Sequence, residues 1–104
     1  MPQPKYVLRV TYRVRIDQAE QFERILLDEV VPLAKNLGIQ FQGVWRTLVG
    51  NVGEYLELWE FDSLAEFETK WKALFEHPEF KRILQITGPM VEEERMAILQ
   101  RVTE

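Results

Sequence analysis

The chain has 104 residues, a formal net charge of −4 and no cysteine. That length suits a single domain, and the mild acidity argues against nucleic acid, whose phosphates need a basic face. Disulfides, thiolate metal sites and iron–sulfur clusters are excluded, and one histidine, His77, rules out any site needing two from one chain.

Met1–Pro4 reads as an extended lead-in stiffened by Pro2 and Pro4. From Lys5 the pattern alternates: Tyr6, Leu8, Val10, Tyr12 and Val14 fall on one face, and Val7, Arg9, Thr11, Arg13 and Arg15 on the other. A period of two predicts a strand. Asp17 with Glu20 has the spacing of a capping box. Ala19, Phe22, Leu26, Val30, Leu33 and Leu37 then form one apolar helical stripe, with Gly38 as its stop. Pro32 should bend or divide that helix, because it removes a donor and crowds the preceding turn.

Gln40–Val49 and Glu54–Phe61 read as two strands, joined into a hairpin by Gly50-Asn51-Val52-Gly53. Ser63 with Glu66 is a second capping box. Leu64, Phe67, Trp71, Leu74 and Phe75 are the stripe of the helix it opens, with Glu66–Lys70 and Glu68–Lys72 as pairs on the wet face. His77-Pro78 starts a further short helix, anchored by Phe80, Ile83 and Leu84 and ended by Gly88-Pro89. The tail from Val91 to Val102 fits a strand by alternation and a helix by propensity. Strand is the choice, because three strands would leave a sheet edge uncovered. The predicted fold is α+β, a ferredoxin-like βαββαβ with a four-stranded antiparallel sheet.

In that arrangement one sheet face packs on helices. Leu8, Val10, Leu56 and Leu58 are expected on it. The opposite face is expected to carry Arg9, Thr11, Arg13, Trp45, Thr47, Tyr55, Glu57 and Trp59, with Arg9 or Arg13 paired to Glu57. A face mixing aromatics with charge suggests either a lined pocket or a subunit interface.

Leu58-Trp59-x-Phe61-x-Ser63-Leu64-Ala65-Glu66 resembles the NIPSNAP pattern of a strand ending in Leu-Trp-x-aromatic before a Ser-Leu-Ala-Glu helix start. His77-Pro78-Glu79-Phe80 is similar to that family's Asp-Pro-Glu-Trp turn. Val31-Pro32-Leu33, Gly38, Val44-Trp45 and Gly50 resemble its middle section, and Arg9 and Tyr12 the Arg and Tyr of its first strand. The resemblance implies a ferredoxin-like subunit that pairs as a homodimeric α/β barrel, beside small monooxygenases and haem-degrading enzymes of the same barrel type. Two positions depart from the pattern: Glu57 stands where many members have histidine, and His77 where aspartate is usual.

The candidate ligand-binding residues are Arg9, Arg13, Trp45, Tyr55, Glu57 and Trp59, with Glu57 as the candidate catalytic base once desolvated. No cofactor is called for, and haem through His77 is the one prosthetic group with a candidate ligand. The plainer reading of His77 is a helix cap before proline. Glu92, Glu93 and Glu94 read as a solvated edge rather than a metal site. The 50–53 turn lacks the glycine spacing and lysine of a phosphate loop. Ser63 is spent as a cap, so no hydrolase triad can be drawn.

No apolar run approaches the roughly 20 residues of a membrane helix. The first ten residues carry charge where a signal-peptide core would lie, so the expected location is cytoplasmic and no membrane partner is expected. Two functions fit. One is a homodimer with a pocket for an aromatic or apolar small molecule and oxygenase-like activity. The other is a non-catalytic, homo-oligomeric interaction module. A cavity on the order of hundreds of Å³ separates them.

Overall fold

Alternation on β1 fixes the architecture. In the computed structural model, which describes residues 6–103, Tyr6–Val14 forms β1 with Leu8, Val10, Tyr12 and Val14 buried. The expected lead-in Met1–Pro4, and Lys5, lie outside the described residues. β2 (Gln40–Arg46), β3 (Glu54–Phe61) and β4 (Val91–Gln100) complete a four-stranded sheet in the order β2-β3-β1-β4, every neighbour antiparallel. The ambiguous tail is therefore a strand, and it covers the β1 edge. This is the ferredoxin-like order, and among the described residues the helices pack on one face.

The first helical stretch is divided, as Pro32 requires. α1 (Ala19–Ile25) passes through a π-helical segment, Leu26–Val30, into α2 (Val31–Asn36). The wider π turn accommodates the missing donor and the ring of Pro32 without ending the helix. It also moves the apolar stripe by one residue. Phe22 is buried before it and Leu26 at its start, but Val31 and Ala34 take over from the expected Val30 and Leu33 after it. Gly38 stops the helix at a φ of +82°, where a side chain would be strained and would crowd the Lys70 ammonium.

The capping box expected at Asp17 is absent. Residues 16–18 form a 3₁₀ turn instead, and the Asp17 carboxylate accepts two hydrogen bonds from Arg15 at 3.1 and 3.2 Å. That bond holds Asp17 below the usual carboxylate range. Ser63 does act as a cap: its hydroxyl accepts from the Glu66 amide at 3.0 Å and opens α3 (Leu64–Glu76). Glu66 pairs with Lys70 at 2.9 Å. Leu64 stays exposed at the start of α3, while Leu74 is fully buried.

β2 ends at Arg46, three residues earlier than its alternation suggests. The Thr47 amide makes the last ladder bond, to the Glu54 carbonyl, and Leu48 and Val49 project into solvent on the loop. Within β2 a bulge at Phe41–Gly43 lets the Trp45 ring fold back over Gly43. A Cβ there would sit 2.8 Å from that ring.

Candidate functional site

β1 and β3 pair so that Leu8 faces Trp59 and Val10 faces Glu57. Residues directly opposite share a sheet face. Tyr55, Glu57, Trp59 and Phe61 therefore lie beneath the helices and are buried, while Leu56 and Leu58 turn to the open face. This reverses the expected phase of β3. Packing on that face supplies the reason: Trp59 meets Phe41 of β2 at 4.6 Å and Trp71 of the helix layer at 6.1 Å, and Phe61 meets Phe67 of that layer at 5.2 Å. Aromatic rings bury more area there than leucines would. The expected pairing of Glu57 with Arg9 or Arg13 fails with the phase. Arg9 is exposed on the other face, and Arg13 sits between Glu54 (3.9 Å) and Glu93 (3.6 Å).

Between sheet and helices lies a cavity of about 450 Å³. Val10, Tyr12, Glu57 and Trp59 line it from the sheet. Trp71, Leu74 and Phe75 of α3 and Phe80 and Leu84 of α4 (Pro78–Thr87) line it from the helices. The π segment contributes Leu26 and Val30.

Glu57 is the polar centre of this space and only 8% exposed. Its Oε2 accepts from the Tyr12 hydroxyl and its Oε1 from the Trp59 indole N–H at 2.9 Å. Burial raises the carboxyl above its ordinary range, and the nearby Glu94 adds to that. The two donated hydrogen bonds oppose the rise without cancelling it. Burial and the adjacent Glu57 also push the Tyr12 phenol up, so it stays a neutral donor. The pair can hold a proton at the base of an apolar chamber and exchange it with a guest.

Of the other expected site residues, Tyr55 stacks on Tyr12 at 5.6 Å but turns its hydroxyl to Glu23 at 2.5 Å. It lines a separate, open recess of about 420 Å³ with Glu23 and Arg46. Burial and the Glu23 bond push its phenol up to about 12. Arg9, Arg13 and Trp45 belong to the open sheet face. The structure thus brings Glu57 and Trp59 together and leaves Arg9, Arg13, Trp45 and Tyr55 elsewhere.

Sequence reasoning missed Tyr12, which looked like one more core residue of β1. It also missed Glu94, which looked like one of three solvated acids. A β-bulge opposite Tyr12 explains Glu94. β4 places Glu93 and Glu94 where β1 has one residue, with Glu93 at a φ of +54°, and the extra residue turns Glu94 toward the cavity.

His77 caps α4. Its Nδ1 accepts from the Glu79 amide at 3.1 Å, ahead of Pro78 in the first turn. It is not among the residues lining the cavity. The residues present do not fit haem, because the one imidazole is committed to a helix end away from the chamber. Among the described residues no group of three histidines or carboxylates is placed to hold a metal ion, and no helix is long and apolar enough to cross a membrane.

A family model described as NIPSNAP matches residues 6–103. Comparison with curated proteins gives no match. Among solved structures, an uncharacterized NIPSNAP domain protein from Burkholderia xenovorans is 18% identical with a TM-score of 0.85, over 94% of this chain and 95% of that one. A NIPSNAP family protein from Agrobacterium tumefaciens is 16% identical with a TM-score of 0.86, over 93% and 92%. A Caulobacter crescentus protein, assigned provisionally as an antibiotic biosynthesis monooxygenase, is 21% identical with a TM-score of 0.74, over 97% and 92%. At these identities the likeness is one of fold.

Proposed function

Because the chain belongs to the NIPSNAP family, matched over residues 6–103, and roles are carried by sites rather than folds, we propose a function from its cavity: it binds an apolar or aromatic small molecule there and exchanges a proton with it through Glu57. The observation that carries this reading is a chamber of about 450 Å³ whose one deeply buried acid is held by Tyr12 and Trp59. An assembly module would fill that space with side chains. A carboxylate made more basic by burial is a better proton acceptor near neutral pH than an exposed one.

The test uses a neutral guest with an acidic C–H, 2-tetralone. The protein should bind it saturably and speed hydrogen–deuterium exchange at its C1, followed by NMR. Glu57→Gln should lower the exchange rate by about 10²-fold or more with little loss of affinity. Leu84→Trp, at the half-exposed wall, should block uptake. Absence of saturable binding would remove the pocket reading, and unchanged exchange in Glu57→Gln would remove the proton role.

A second reading extends the first, and the monooxygenase description of the Caulobacter relative favours it. A guest carbanion formed by C–H cleavage keeps its electron pair and can reduce dioxygen. One oxygen stays as a ketone and the other leaves as water, so a CH₂ group and O₂ give C=O and H₂O. Glu57 would take the first proton and return it to the peroxide.

The open sheet face supports pairing with a second copy. Trp45, Leu56, Leu58, Ala97 and Leu99 share that face with Arg9, Arg13 and Arg95 and with Glu54 and Glu60. Trp45 is 51% exposed. Apolar side chains among charges of both signs suit a two-fold, self-complementary contact. Sedimentation velocity should give a dimer, and Trp45→Asp should give a monomer that still binds 2-tetralone. A monomer for the unaltered chain at tens of micromolar would sink the pairing.

A further inference from the structure

The cavity lining is one-sided in charge. Among the described residues its ionisable side chains are Tyr12, Glu57 and Glu94, with no arginine, lysine or histidine. Arg13 and Arg95, the chain neighbours of Tyr12 and Glu94, turn away from it. Arg13 is on the open face, held by Glu54 and Glu93, and Arg95 sits opposite Thr11 on that same face.

The two acids have different positions. Glu57 on β3 lies at the buried base. Glu94 on β4 is exposed and lines the same cavity, so it stands at the open side. β1 runs between them, which puts the two strands about 10 Å apart. Trp59, Trp71, Phe75 and Phe80 line the same cavity. Aromatic walls and carboxylates are the chemistry that receives an ammonium group, since ring faces and acids both attract cations. A carboxylate or phosphate entering the same space would meet like charge and no donor arginine to offset it.

Resting on the reading that this cavity takes a small molecule, we propose that its guest is a cationic amine carried on an aromatic body, and that Glu94 selects it over an anion of the same shape. The bulge at Glu93 is what makes this selection available, because regular alternation after Val91 and Glu92 would turn Glu94 to the open face.

Three probes with one ring system test the charge alone: 2-naphthylmethylammonium, 2-naphthalenemethanol and 2-naphthoate, each titrated calorimetrically into the whole protein. The amine should bind at least tenfold more tightly than the carboxylate, with the alcohol between them. Glu94→Gln, at an exposed position where folding is not at stake, should narrow the amine-to-carboxylate ratio several-fold. Equal binding of all three, tighter binding of naphthoate, or an unchanged ratio in Glu94→Gln would each overturn the selection while leaving the pocket intact. If neither these probes nor 2-tetralone binds, the pocket reading and this inference fall together.

Discussion

Trp59→Ala is expected to lower the unfolding free energy by about 3–5 kcal/mol, the range for emptying a large aromatic site in a core. Trp59 is 1% exposed and is the largest fully buried side chain. Its ring joins Phe41 on β2 to Trp71 on α3, so removing it opens a gap between sheet and helix layer that neither neighbour fills alone. A domain of this size has about 5–15 kcal/mol in all, so the loss is a substantial share of the total. Urea unfolding followed by far-UV circular dichroism measures the loss. Trp59→Phe keeps a ring but withdraws the indole donor from Glu57, and should cost about 1–3 kcal/mol through the acceptor left short of a partner. A loss below about 1 kcal/mol for Trp59→Ala would contradict its place in the packing.

Glu57 is expected to make the protein less stable as pH rises through the weakly acidic range. Burial raises its carboxyl above the ordinary value of 4.5 in the folded chain. Below that value both folded and unfolded states hold the proton, and the residue carries no penalty. Above it the unfolded chain releases its proton first, so the folded state holds more protons and stability falls with pH. The fall ends once pH passes the raised folded value. Tyr12 and Glu94 face the same carboxyl, but Tyr12 stays neutral throughout this window. Glu57→Gln should remove the slope, read as the difference between the two urea midpoints from pH 4 to pH 8. A difference that is flat with pH would show that burial does not govern this acid. Glu57→Leu is the harsher change. It strands the Tyr12 hydroxyl and the Trp59 indole in an apolar space, at about 2–6 kcal/mol for two buried donors without acceptors.

Much of the fold was legible because several signals are local. β1 declares its buried face by simple alternation, Ser63 and His77 declare helix starts through side chains that reach the next turn, and Pro32 declares a break in the first helix. The phase of β3 was not legible in the same way. Its two faces are Tyr-Glu-Trp-Phe and Glu-Leu-Leu-Glu, and both contain apolar and acidic groups, so hydropathy gives no decision. Only pairing with β1 settles it. Phe61 held the available clue, since its parity gathers all the aromatic bulk of β3 onto one side. Glu57 was expected on the open face, and the pairing with β1 puts it on the other. Glu94 was unreadable, because a bulge breaks the alternation on which any such reading depends. Asp17 misled because an adjacent arginine competes for its carboxylate.

The π segment at Leu26–Val30 makes the first helix sensitive to residue number as well as residue type. Each residue advances a helix by about 100°. A one-residue deletion there would let the segment close to ordinary α geometry with Phe22 and Ile25 still on the side of Val31 and Ala34. Ordinary α geometry with the present number of residues would instead turn the two groups to opposite sides. Among chains of this family, a one-residue gap falling within residues 26–30 should accordingly signal an unbroken α-helix with the same flanking side chains turned to the sheet.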